Sequence, residues 1–284
     1  MQRVRSFMQI DVFSTGPLTG NPVAVVLDAD GLTHSQMAAF ARWTNLSETT
    51  FVLPPTTPGA DYRLRIFTPG GELPFAGHPT LGSAYAWLKA GGVPATPGRV
   101  VQECGLGLVP LRISDDGAPA FAAPPPVRSG DVDDDTLDHA VAALGLGRHD
   151  VVDAQWVDNG PGWLGLVLRD AAAVLNVRLE PAVAGDLRIG VIGEFPEVHR
   201  PWEGCLYEVR AFVPSLGVPE DPVTGSLNAS LAQWFRATDR APERWSVRQG
   251  TVLGRAGRVD LTDDGADIWV GGRCEATVVG LVDL

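Results

Sequence analysis

Two stretches of the chain set a reactive side chain beside a glycine that leads into an apolar, helix-like run. They are Pro74-Phe75-Ala76-Gly77-His78-Pro79-Thr80 and Glu220-Asp221-Pro222-Val223-Thr224-Gly225-Ser226. Backbone N–H groups at a helix start have no partner within the helix and sit at the positive end of its dipole, a ready cradle for a carboxylate. Gly77, Gly225 and Ser226 are therefore candidate substrate-binding residues. His78 and Asp221 add groups that can orient a substrate or pass a proton, and near a positive helix end the imidazole tends to be neutral. Glu48, between Leu46 and Phe51, is the candidate acid/base. A carboxylate against an apolar wall has its pKa raised from about 4.3 toward neutrality, which suits a group that removes a proton from carbon and later returns it. The candidate catalytic set is thus Glu48, His78 and Asp221, and the spacing of the three cysteines suggests no metal site.

The two motifs share more than their glycines. Arg65, Phe67, Pro69 and Pro74 precede Gly77 much as Arg210, Phe212, Pro214 and Pro222 precede Gly225, about half the chain apart. Repetition at half length points to a duplicated domain, and a cleft between related halves is a natural ligand site. The 284 residues, 45% of them hydrophobic, are enough for two ordinary cores. The halves divide at 123/124, with a closing strand able to cross back to the first half. A Pro-, Gly- and Asp-rich connection over 114–135 marks the division, and its acidic run Asp131–Asp135 reads as a solvated helix start rather than a calcium loop.

The elements that must position these residues follow from patterning. Strands are predicted over 4–13, 23–27, 49–53, 62–67, 108–113, 152–157, 164–168, 206–212, 251–253, 258–261, 267–270 and 276–282. Thr33 and Gln36 have capping-box spacing for a helix over 34–44 that stops at Asn45. Further helices are expected from Pro79 to Gly91-Gly92, over 136–144 and over 227–235, so Trp87 and Trp234 fall at matching places. Strands outnumber helices, and one apolar helix in each half is sheltered by them. Arg65 and Arg210 read as exposed strand residues with local partners. The turn Asn159-Gly160-Pro161-Gly162 reads as the second-half counterpart of the Glu48 segment and carries no acid, which favours one base over an opposed pair.

Together with Gly20-Asn21-Pro22-Val23 and Asn45-Leu46-Ser47-Glu48-Thr49, the two glycine motifs make the chain resemble the PhzF-like isomerases of phenazine biosynthesis over nearly its whole length. The resemblance implies an α+β fold like that of diaminopimelate epimerase, two pseudo-symmetric domains each wrapping antiparallel strands around a central helix. It also implies an active site between the domains, no cofactor, and a homodimer. In such a family the glutamate matching Glu48 takes a proton from one carbon of a cyclohexadiene amino acid and returns it at another. His78, Asp221 and Ser226 would line the same pocket with the amides beside Gly77 and Gly225.

Related epimerases use one thiol per half as opposed acid and base. Cys104, Cys205 and Cys274 lie outside both motifs and read as packing residues, so cysteine-type racemisation is disfavoured. Ser226, His78 and Asp221 are also the residue types of a hydrolase triad, although no G-x-S-x-G elbow is present. A non-catalytic carboxylate-binding protein is a further alternative. The 34 acidic against 22 basic residues, net charge −12, work against nucleic acid or anionic membranes as partners and leave a small anionic metabolite. No run approaches the roughly 18 apolar residues of a membrane span, and no signal peptide is evident, so a cytoplasmic location is expected.

Overall fold

The computed structural model describes residues 3–201, 204–216 and 218–284 and divides into two compact units, Met1–Ala122 with Gly271–Leu284, and Ala123–Val270. The first begins with β1 (Val4–Val12) and β2 (Asn21–Val26), whose apolar run is buried throughout. Helix α1 (His34–Thr44) follows. Thr33 and Gln36 bond each other's backbone N–H groups at its start, and Asn45 ends it at φ +53°, a left-handed conformation that asparagine tolerates. Next come β3 (Glu48–Leu53), β4 (Tyr62–Thr68), β5 (Gly71–Leu73) and the central helix α2 (Gly77–Lys89). Strands β6 (Arg99–Cys104), β7 (Gly107–Ile113) and β8 (Pro119–Ala122) complete this run.

The second unit repeats the plan. It comprises β9 (Arg128–Asp131), α3 (Asp134–Ala143), β10 (Val151–Asp158), β11 (Trp163–Leu168), α4 (Ala171–Asn176), α5 (Pro181–Ala184), β12 (Arg188–Glu194) and β13 (Tyr207–Phe212). Then follow β14 (Glu220–Asp221), the central helix α6 (Gly225–Ala237), β15 (Arg244–Gln249), β16 (Gly257–Asp263) and β17 (Ile268–Gly271). The closing strand β18 (Cys274–Asp283) pairs antiparallel with β1 and so belongs to the first unit.

The pairings show the duplication. In the first unit β1 runs antiparallel to β2, β2 parallel to β3 through the α1 crossover, β3 antiparallel to β4, β4 antiparallel to β5 and parallel to β6, and β6 antiparallel to β7. In the second unit β10, β11, β12, β13, β14, β15 and β16 make the same sequence of pairings. Each parallel step needs a crossover, which explains why a helical segment lies between β2 and β3 and again between β11 and β12.

Each sheet buries residues on two faces. Along β4, Tyr62, Leu64 and Ile66 alternate with Arg65 and Phe67. Tyr62 meets Trp87 of α2, while Phe67 packs with Phe51 and His34 in the cluster that also holds Met37 and Phe40 of α1. In the second unit Tyr207 meets Phe235 of α6, and Phe212 joins Leu164, Leu166, Ile189 and Val174 on the opposite face.

Three expectations need correction. Residues 251–253 form a turn rather than a strand: Gly250 has φ +84°, its carbonyl accepts from the Leu253 and Arg255 N–H groups, and Val252 and Leu253 are exposed. The paired strand is β15, just before. Residues 114–135 are not a plain connection, since β8 and β9 both lie within them. Arg210 is buried rather than exposed, held by Glu220 at 2.8–3.0 Å and by the carbonyls of Val174 and Val177, whereas Arg65 is half-buried against Glu72 at 2.7 Å.

Glu208 on β13 is fully buried, and that burial pushes its carboxyl up to about 7, against the pull of Thr251, Arg248 and Arg210. The folded chain therefore keeps a proton that the unfolded chain releases near the ordinary value of 4.5. Stability should fall as pH rises from 4.5 through 7, by about 3 kcal/mol, and stay lower above it. Urea unfolding of Glu208→Gln and the parent at pH 5 and pH 8 checks this. The variant should gain on the parent at pH 8 relative to pH 5, and an equal gap at both would contradict it.

Candidate active site

In the first unit the chain delivers Glu48 and His78 to one place. Asn45 stops α1, and the Thr44 hydroxyl, 3.0 Å from the Ala41 carbonyl and 2.7 Å from the Thr49 hydroxyl, ties the helix end to the start of β3. Glu48 is the first residue of that strand and lies in register with Val23 of β2, next to Pro22. Helix α2 comes down on the same strands so closely that a Cβ on Gly82 would stand 2.4 Å from Val23 Cγ1 and 2.9 Å from Val12 Cγ2. That approach buries His78, the second residue of α2.

The imidazole Nε2 of His78 lies 3.4 Å from Glu48 Oε2, with the two side chains 7% and 16% exposed. Burial drives the imidazole down to about 3, opposed by its bond to the Pro22 carbonyl, so it is neutral at physiological pH. Dehydration is the largest cause. Nε2 makes no hydrogen bond among the described residues, so the Pro22 bond runs from Nδ1–H. With the ring hydrogen on Nδ1, the lone pair of Nε2 faces Glu48.

The start of α2 carries no capping side chain. Its N-cap is Ala76, and Pro79 has no N–H, leaving the Gly77 and His78 amides without a side-chain acceptor from the cap position. Deeper in the helix the polar groups are satisfied. Ser83 meets Thr50 at 2.8 Å, and Gln102 of β6 donates to Thr80 at 3.0 Å while accepting from the Tyr62 hydroxyl at 2.9 Å. A cavity of about 440 Å³ in this unit, lined by Arg63, Arg65, Glu72 and Cys104 among others, includes neither Glu48 nor His78. Hydrogen bonding and charge identify the chemistry here better than concavity does.

In the second unit Asp221, Gly225 and Ser226 stand around the start of α6. Ser226 Oγ accepts from the Trp163 indole at 3.0 Å, and its carbonyl accepts from Asn159 Nδ2 at 3.0 Å. With that lone pair occupied by an N–H that can only donate, the hydroxyl proton is directed elsewhere. Thr224, the N-cap, makes no capping bond; its hydroxyl donates to Asp221 Oδ2 at 2.5 Å. Gln249 of β15, fully buried, joins these groups to Asn228. The structure thus gathers Glu48, His78 and Gly77 in one unit and Asp221, Gly225 and Ser226 in the other.

The counterpart of Glu48 differs from the sequence expectation. Glu48 opens β3 beside Val23, and Arg188 opens β12 beside Trp163. The second-half equivalent is therefore Arg188, whose Nη1 donates to the Pro161 carbonyl at 2.6 Å, rather than the 159–162 turn. A cation occupies the place of the acid. Sequence reasoning also missed Trp163, Thr224, Gln102 and Gln249. A glutamine in the strand after each motif helix was the available signal for the last two.

This pair of duplicated units, each built around a central helix, is a fold also found in a PhzF-family protein and in a hydroxyproline epimerase. The phenazine biosynthesis-like protein (PhzC/PhzF) family model matches residues 10–277, and the chain belongs to that family. Antisense-enhancing sequence 1 of Schizosaccharomyces pombe is 36% identical, with 97% of each chain covered. The trans-2,3-dihydro-3-hydroxyanthranilate isomerase of Pseudomonas aeruginosa is 34% identical, covering 92% of this chain and 91% of that protein. A crystal structure of a PhzF-family protein from Bacillus anthracis superposes with a TM-score of 0.82 at 24% identity, covering 99% of both chains. No helix among the described residues is long and apolar enough to cross a membrane.

The tight seat of α2 makes a direct prediction. Gly82→Ala should lower the unfolding free energy by about 1–3 kcal/mol, because Val23 Cγ1 must give way. Val23→Ala should cost less in the Gly82→Ala background than in the parent in urea melts, because it removes the crowded methyl. A Gly82→Ala protein as stable as the parent would contradict the close approach.

Proposed function

We propose that this isomerase moves a proton between two carbons of a small carboxylate-bearing metabolite, with Glu48 as its single acid/base. The observation that carries the reading is the mostly buried Glu48 carboxyl 3.4 Å from Nε2 of a buried, neutral imidazole, a nitrogen that is an acceptor when the ring hydrogen is on Nδ1. The Glu48 carboxylate takes a proton from one carbon, and the electron pair left behind spreads into the conjugated part of the substrate. Protonated Glu48 then gives its O–H hydrogen bond to His78 Nε2, which holds the acid in place without taking the proton fully, since an imidazolium there is disfavoured by burial. Return of the proton at a second carbon completes the shift and restores the carboxylate. The absence of an acid at the Arg188 position supports one base rather than two.

Ser226, whose hydroxyl accepts from Trp163 and keeps its own proton to donate, and the amides at Gly77 and Gly225 are suited to an anionic group, and Asp221 to a donor group on the substrate. These roles rest on the repeated motif. The relative from Pseudomonas aeruginosa makes trans-2,3-dihydro-3-hydroxyanthranilate the first compound to try. The test is a screen of that compound and of amino and hydroxy acids in deuterated buffer, read as mass gain. Wild type should label at least one, and Glu48→Gln should slow labelling by about a hundredfold or more. Labelling by Glu48→Gln at the parental rate would remove Glu48 as the base.

A further inference from the structure

We infer that Gln249 and Thr224 are positioning residues for the reaction, a directional hydrogen-bond chain that holds the Asp221 carboxylate as an acceptor; the inference rests on the role proposed for Asp221. Gln249 is fully buried at the end of β15, and its amide is used at both ends. Its Oε1 accepts from the Thr224 N–H at 3.1 Å and from Asn228 Nδ2 at 2.8 Å. Its Nε2 donates to the Asp221 carbonyl at 3.2 Å and to Thr224 Oγ1 at 3.0 Å.

The Thr224 hydroxyl has a single proton. With a Gln249 N–H directed at its oxygen, that proton goes to Asp221 Oδ2, 2.5 Å away. The order Gln249 to Thr224 to Asp221 cannot run backwards, because the carboxylate offers no hydrogen.

This use of Thr224 has a visible cost in local structure. A threonine at an N-cap ordinarily accepts from an amide of the first turn, and Thr224 does not. One hydroxyl thus does two things: it orients Asp221, and by turning away it leaves the first amides of α6 without a side-chain cap. The backbone reinforces the arrangement. Gly250, at φ +84°, lies so close to Pro222 that a Cβ would stand 2.6 Å from the Pro222 carbonyl oxygen, which seats the Asp221–Thr224 turn on the end of β15.

The first unit supplies an internal control. Gly105 approaches Pro74 in the same way, with its Cβ position 2.8 Å from Pro74 Cα, and Gln102 reaches Thr80 as Gln249 reaches Asn228. There the N-cap is Ala76, which has no hydroxyl to extend the chain. A buried glutamine bracing the motif helix is common to both units. The extension to a carboxylate belongs to the second alone, which separates a reaction-directed role from bracing.

The experiment uses the full chain and the compound labelled in the deuterium screen. Thr224→Val should lower kcat for labelling about tenfold or more while KM and the thermal midpoint stay near parental values, and Thr224→Ser, which keeps the hydroxyl, should restore the rate. Gln249→Met should follow Thr224→Val. In an Asp221→Asn background Thr224→Val should cost nothing further, because it acts through that carboxylate. A Thr224→Val enzyme with parental kcat, or one losing as much in the Asp221→Asn background, overturns the inference. Asp221→Asn at the parental rate would instead remove the role proposed for Asp221, and a screen with no labelled compound would remove both.

Discussion

The first unit turns on one dehydrated imidazole. His78 gives Nδ1–H to the Pro22 carbonyl, cannot readily take a second proton, and presents a bare nitrogen to Glu48. Burying a charged imidazole without a full complement of partners is costly, so the ring stays neutral. Each surrounding element serves that arrangement. The parallel register of β2 and β3 sets Glu48 beside Val23, immediately after the proline whose carbonyl bonds the His78 ring. Gly82 lets α2 sit close enough for His78 to be sealed, and Asn45 ends α1 where β3 must begin.

Duplication gave the second unit the same frame with different chemistry. A proline carbonyl again accepts from a side chain, from Arg188 at Pro161 where the first unit has His78 at Pro22. Ala76 is matched by Thr224, and His78 by Ser226, each at the start of a central helix. The glutamines Gln102 and Gln249 brace both helices. The parts that repeat are those that hold backbone; the parts that differ are side chains able to move or hold protons.

Much of this was legible in sequence where the signal is local. The Thr33 and Gln36 spacing gives α1, the motif glycines give the starts of α2 and α6, and the repeated Arg, Phe and Pro positions give the duplication. Grouping Glu48 with His78 needed the family resemblance, because nothing in spacing tells which strand a helix start will face. The missed features are non-local. Strand β12 reads poorly because Gly190 and Gly193 interrupt its apolar pattern, yet both glycines are required by close approach, to Leu227 and to the Asp170 carbonyl. Arg188 could not be matched to Glu48 without the register of two parallel pairs. The β15 segment, with Arg244, Ser246 and Arg248 alternating with buried Trp245, Val247 and Gln249, was passed over for the more apolar Val252-Leu253 beside it, which is a solvent-facing turn.

The state of the His78 ring is the most direct test of the whole account. Nitrogen-15 NMR of the imidazole across pH 5 to 8 should show a neutral ring throughout, protonated at Nδ1 and bare at Nε2, in keeping with titration near 3. An imidazolium signal at pH 6, or a neutral ring carrying its hydrogen on Nε2, would contradict the claim that His78 serves Glu48 as an acceptor.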